Sequence, residues 1–124
     1  MPLALSSCPA AETPPERWTL SAGDAATATL TIPADALRER RFEIFCRFVV
    51  SNRGGRADAT HGLRVLVNGA LEWSRSVATH ADDTDSLDLR FHRSVPVGQA
   101  LRVVATGDVR FAQRASLTIS AEEE

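Results

Sequence analysis

Apolar side chains recur at every second position along most of this chain, with polar ones between them. Trp18, Leu20 and Ala22 begin the pattern, and Ala26, Ala28, Leu30 and Ile32 continue it. The stretch FEIFCRFVV places Phe42, Ile44, Cys46, Phe48 and Val50 on one stripe. Leu63, Val65 and Val67 follow, then Leu71 with Trp73, then Leu87, Leu89 and Phe91, then Leu101, Val103 and Ala105, and finally Ala115, Leu117 and Ile119. Alternation of this kind marks strands with one buried and one wet face. About eight short strands separated by Gly, Pro, Asn and Asp predict an all-β antiparallel sandwich, jelly-roll-like, since each half-buried sheet needs a second to cover it. PADALRERR, residues 33 to 41, is the one helical candidate: Pro33 suits a first turn, and Leu37 would cap the core.

The stretch HGLRVLVNGALEW, residues 61 to 73, reads as a hairpin turned on Asn68-Gly69 and allows two registers. A two-residue turn sets Arg64 opposite Trp73, leaving the indole exposed beside a guanidinium, a platform suited to a sugar ring or base. A three-residue loop with Gly69 in a bulge instead pairs Leu63 with Trp73 and Val65 with Leu71, and Arg64 with Glu72 on the other face. The second register collects the apolar residues on one side and is preferred, because a one-residue slip turns every side chain over. Trp73 is then a core residue, and Trp18 packs in the core or at the sandwich edge.

At 124 residues with 44% hydrophobic and 24% charged, the chain fits one domain with its own core. Residues 1 to 15 read as a flexible tail ending in AETPP, residues 16 to 121 as the sandwich, and Glu122, Glu123 and Glu124 as a solvated acidic end. Leu5-Ser6-Ser7-Cys8 is similar to a lipoprotein lipobox but lacks the basic and apolar segments of a signal. No stretch approaches the roughly 18 apolar residues of a membrane helix. Cys46 reads as a buried thiol, and two cysteines make no disulfide framework, so the expected compartment is the cytoplasm. Secretion or lipid anchoring would follow only from a longer native N-terminus.

Net charge is −2, which gives no bulk field for nucleic acid or anionic membrane, and neither is an expected partner. All 14 basic residues are Arg, as a GC-rich genome would encode. Arg47, Arg64, Arg90, Arg102 and Arg114 fall on the outward phase of five strands, where they form either an anion-holding stripe or cross-strand ion pairs with acids such as Glu43, Glu72 and Asp88. His80, Asp82, Asp83, Asp85 and Asp88 form the densest polar cluster. Hard oxygen ligands suit Ca²⁺, with Asp82, Asp83 and Asp85 as the metal candidates, although the spacing lacks the glycine and terminal glutamate of an EF-hand. The histidines lack zinc spacing, no G-x-S-x-G elbow occurs, and nothing in the sequence supports catalysis.

From Phe42 to Ile119 the chain resembles the jelly-roll carbohydrate-binding modules, in the succession FEIFCRFVV, LRVLVNG, SVPVGQALRVVAT and ASLTIS. The resemblance implies a non-catalytic sandwich that binds glycans through aromatic platforms or loop residues, often with a structural Ca²⁺. This chain departs from those modules in having no Tyr and two Trp. The expected function is therefore a glycan-binding module, with Arg64, Trp73, Arg90 and His92 as ligand-binding candidates. The alternative is a protein-interaction or assembly domain with no small-molecule ligand, whose sheet face or edge docks on a partner.

Overall fold

The computed structural model describes residues 14–81 and 84–124. Eight strands follow in chain order: β1 (Arg17–Ser21), β2 (Thr27–Ile32), β3 (Arg40–Ser51), β4 (Thr60–Val67), β5 (Ala70–Ala78), β6 (Thr84–Val95), β7 (Leu101–Arg110) and β8 (Gln113–Glu123). They form two four-stranded antiparallel sheets, the first ordered β1-β8-β3-β6 and the second β2-β7-β4-β5. The pairs β1·β8, β2·β7, β3·β6 and β4·β5 are nested, as if one long hairpin had been rolled over on itself. That is the jelly-roll order.

Alternation dictates the core. Phe42, Ile44, Cys46, Phe48 and Val50 of β3 meet Leu63, Val65, Leu101, Val103 and Ala105 of the second sheet, all essentially excluded from water. Burial pushes the Cys46 thiol up to about 12, so it behaves as a small hydrophobe. Phe48 packs closely against β7 because position 107 is glycine: a Cβ there would sit 2.5 Å from the ring. Trp18 faces inward beside Ala121 and Trp73 inward beside Val65, each half-buried against the core on an edge strand. They help close the sandwich at β1 and at β5.

Four expectations change. The hairpin turn is a two-residue one, with Asn68 and Gly69 at φ 49° and 85°, the left-handed pair of a type I′ turn. Val67 pairs with Ala70 and Leu66 with Leu71, and then the register slips, so that Val65 meets Trp73 and Glu72 is left over as a bulge. Trp73 therefore reaches the inner face, but through a bulge past the turn, and Leu71 is thrown outward, 57% exposed. A second bulge, at Ala115 between the pairs Val50·Arg114 and Val49·Ser116, exposes Ala115 and turns Arg114 inward, where its Nε donates to the Gly107 carbonyl.

Residues 33 to 39 are not helical. Asp35 Oδ1 instead accepts the backbone N–H groups of Leu37 and Arg38, an Asx turn competing with helix, and Leu37 projects into solvent. Of the C-terminal glutamates, Glu122 and Glu124 are exposed, as a solvated end would be, but Glu123 is drawn into the fold. Glu123 belongs to β8 and pairs with Arg38, which also reaches Glu16 at 2.8 Å. Arg40, buried, donates to Glu16 at 2.9 Å and to the Pro33 carbonyl at 2.8 Å, so one network ties both ends of the domain to the β2–β3 loop.

Candidate functional site

The outer face of the first sheet is built from Arg41, Glu43, Phe45 and Arg47 of β3, facing Ser94, His92, Arg90 and Asp88 of β6. Opposite charges pair across most of it, although Glu43 also lies opposite Glu122 of β8. Arg90 pairs with Glu43 at 2.9 Å, Arg47 with Asp88 at 3.7 Å, Arg17 with Glu122 at 3.4 Å and Arg41 with Glu124 at 3.5 Å. His92 Nδ1 lies 2.6 Å from a Glu124 oxygen, and the Arg90 guanidinium sits 4.7 Å from the centre of the Phe45 ring. Of the expected ligand-binding residues, Arg90 and His92 thus share a face, each already engaged by a carboxylate. Arg93 points to the inner side and bridges the open edge to Glu72 of β5.

Arg64 and Trp73 do not share a surface. Arg64 sits opposite Ser74 and Thr106 on the outer face of the second sheet, whereas Trp73 turns inward beside Val65. Three neighbouring cross-strand rows lie at the Asn68 end of that outer face, and beyond them Asp108 aligns with Gly62 and Ser76, and Arg110 with Thr60 and Ala78. Thr27, Thr106, Arg64 and Ser74 form one; Thr29, Val104, Leu66 and Leu71 form the next; Thr31 and Arg102 begin the third. Arg102 is held beside Asn68, whose Oδ1 accepts its backbone N–H while the Asn68 N–H donates to its carbonyl, both at 2.8 Å.

The middle row is apolar from β7 to β5. The preferred register in the sequence reading places Leu71 in the core; the two-residue turn it sets aside pairs Leu66 with Leu71 away from Val65 and Val67, as the structure does, and Val104 has no role in either. Among the described residues, neither Arg64 nor Arg102 has a carboxylate within ion-pair distance. The two sheets differ in this: one face is internally compensated, and the other keeps an apolar row between unengaged guanidiniums.

Asp82 and Asp83 lie outside the described residues. Asp85 accepts the N–H groups of His80 and Ser86, and these, with His61 and His80 nearby, hold its carboxyl below the usual range against the opposing effect of burial. Among the described residues no cluster of three or more His, Cys, Asp or Glu is arranged to hold a metal. Beside this loop, Ala57, Ala78, Thr79, His80 and Ala81 line an open hollow of about 440 Å³. His61 is buried beneath it, its Nδ1 2.7 Å from Thr79 Oγ1 and its Nε2 without a partner among the described residues. At the same end Phe111, exposed and at φ 60°, carries the Arg56 guanidinium 3.6 Å from its ring centre, while Asp58 grips that guanidinium from the side.

The chain is similar in fold to part of a known protein. In the crystal structure of dimeric latent PorU from Porphyromonas gingivalis, a region amounting to 10% of that chain matches 84% of this one, with a TM-score of 0.51 and 16% identity. At that identity the likeness speaks for the fold alone, and this chain spans about a tenth of PorU's length. No protein-family model and no curated protein matches the sequence.

Proposed function

We propose that this chain is a non-catalytic docking module, and that the outer face of the second sheet is where a protein partner binds. One observation carries the reading: Val104, Leu66 and Leu71 form a continuous apolar row in register across three strands, with Arg64 on one side and Arg102 on the other. Binding energy in protein interfaces concentrates in desolvated apolar and arginine anchors, and this face offers both in one patch. A sheet face that served only to solubilise the fold would pair its charges internally, as Arg90 with Glu43 and Arg47 with Asp88 do on the first sheet.

A glycan reading, which the resemblance to carbohydrate-binding modules favours, needs an open aromatic face. Both tryptophans turn toward the core, and the outward rings of Phe45 and Phe111 lie under guanidiniums. The protein reading needs no such platform.

The test is selection of a random peptide display library on the immobilised chain, followed by methyl NMR of the chain with the winning peptides. Shifts centred on Leu66, Leu71 and Val104, and loss of binding in Leu71→Asp, are the expected results. Winners that perturb the first sheet or the loops instead would overturn the assignment. A sugar panel that quenches tryptophan fluorescence would restore the glycan reading.

A further inference from the structure

We infer that this chain also binds a second copy of itself, edge to edge along β6, so that the first sheets of two molecules join into one continuous sheet. This contact is separate from the docking face on the second sheet. Among the described residues β6 pairs with β3 alone, and it runs for 12 residues without a proline or a bulge, leaving its other side open. The remaining edges are blunted in ordinary ways: β1 and β2 are only 5 and 6 residues long, and β5 carries the bulge at Glu72. Which backbone groups of β6 face outward follows from the far side of β3. The Glu124 N–H donates to the Arg41 carbonyl, so Arg41, Glu43, Phe45 and Arg47 turn their backbone groups toward β8. Their partners on β6, namely Ser94, His92, Arg90 and Asp88, therefore point their N–H and C=O groups away from β3.

An antiparallel copy of β6 must set even-numbered residues against even-numbered ones, and charge selects among the registers that do so. A twofold axis through Asp88 or Arg90 would put like charges face to face. An axis through Leu87 or Phe91 leaves both Asp88 and Arg90 facing groups of no opposite charge. An axis through Leu89 sets Asp88 opposite the partner's Arg90, and Arg90 opposite the partner's Asp88. On the inner face the same register sets Leu89, half-buried at the rim of the core, against itself and Leu87 against Phe91. Asp85 falls opposite Arg93, whose Nε has no partner among the described residues. Residues 85 to 93, DSLDLRFHR, are thus complementary to their own reverse. A twofold contact between identical chains requires that property, since residue i meets j and j meets i, whereas a foreign strand has no use for it. Asp88 is held by Arg47 at 3.7 Å and would lie between that guanidinium and the partner's Arg90. Asp85 Oδ1 already accepts the Ser86 N–H, so the firm part of the ladder is Asp88 and Arg90 with their counterparts. Charges on an edge ordinarily repel another strand; these are placed to attract one of the same sequence.

Sedimentation of the full chain over a range of concentrations reads the association, and the parent should form a reversible dimer. Asp88→Arg and Arg90→Asp should each weaken it about tenfold or more, because each replaces two opposite-charge contacts with two like-charge ones. An equimolar mixture of the two variants should dimerise again, one chain then supplying two arginines and the other two aspartates. Thermal melts of each variant alone check that it is folded. In a Cys8→Ser background, Leu89→Cys should cross-link to its own copy under mild oxidation, since the axis puts the two Cα atoms about 4.5 Å apart, within the span of a disulfide. Leu87→Cys, which faces Phe91 instead, should not. A chain that stays monomeric, folded variants that fail to rescue each other, or equal cross-linking at both positions would overturn the inference. Dimerisation that ignores both charge reversals but is lost in Leu71→Asp would overturn it as well, and would place self-association on the second sheet. The library selection judges the docking face separately.

Discussion

Gly107→Ala should destabilise this protein although alanine is ordinarily the better strand residue. Replacing glycine where alanine fits usually stabilises by about 0.4–1 kcal/mol, because the unfolded chain loses freedom, and Gly107 has no left-handed backbone to protect. Here the new Cβ would stand 2.5 to 2.7 Å from three atoms of the Phe48 ring, against an ordinary carbon contact of about 3.5–4.0 Å. The ring, or β7 itself, would have to move by roughly 1 Å. Phe48 is fully buried and cannot swing into solvent. Overpacking of this kind costs about 1–3 kcal/mol, so the net loss should be about 1–2 kcal/mol after the entropic gain.

Urea unfolding followed by tryptophan fluorescence would show it as a midpoint lowered by roughly 0.5–1 M. The decisive comparison is Phe48→Leu with and without the alanine. With the ring gone the added methyl should cost little, giving a coupling of about 1 kcal/mol or more. A neutral or stabilising Gly107→Ala, or a cost that persists in Phe48→Leu, would refute the close packing of β7 on the ring.

Other outcomes follow from burial. Burial holds the His61 imidazole below the ordinary histidine range, outweighing the pull of Asp85, so the folded state resists the proton. That stability is complete above about pH 6.5 and declines as pH falls below it; unfolding measured from pH 7 to 5 should slope in the parent and flatten in His61→Gln, and equal slopes would contradict it. Asp85 and Glu123, both held low, contribute in a separate window that opens below about pH 4. Leu71→Ser should leave stability within about 0.5 kcal/mol because the side chain is exposed, whereas Leu63→Ala should cost about 2–5 kcal/mol; equal costs would mean the hairpin register is wrong. In a Cys8→Ser variant, Cys46 should ignore a disulfide reagent at pH 8 until denaturant is added, and prompt reaction would contradict its burial.

The strands were legible because period-2 alternation is enforced wherever one face of a sheet is buried, and β3, β4 and β7 keep it without interruption. The bulges were not. At Glu72 and Ala115 a single extra residue reverses the phase of everything beyond it, and neither carries a glycine or proline to announce it. The inward place of Trp73 was expected through a loop that is not there; the two-residue turn puts Leu71 outward opposite Leu66, and the bulge at Glu72 then returns Trp73 to the inner face. The Asx turn at Asp35 was hidden behind Pro33, which suits a helical first turn, and Leu37, which a helix would set against the core. The division of the outward arginines between a compensated face and an unengaged one depends on strand order, which pattern alone does not contain.

The docking account stands on which side chains of the β4–β5 hairpin meet water. A neutral gadolinium chelate added to the isotope-labelled chain measures this directly, by the relaxation it induces in each methyl and indole resonance. The account predicts strong relaxation of Leu71, intermediate relaxation of Leu66 and Val104, and weak relaxation of the Trp73 indole ring protons and of the Val65 methyls. A strongly relaxed Trp73 with a protected Leu71 would contradict it.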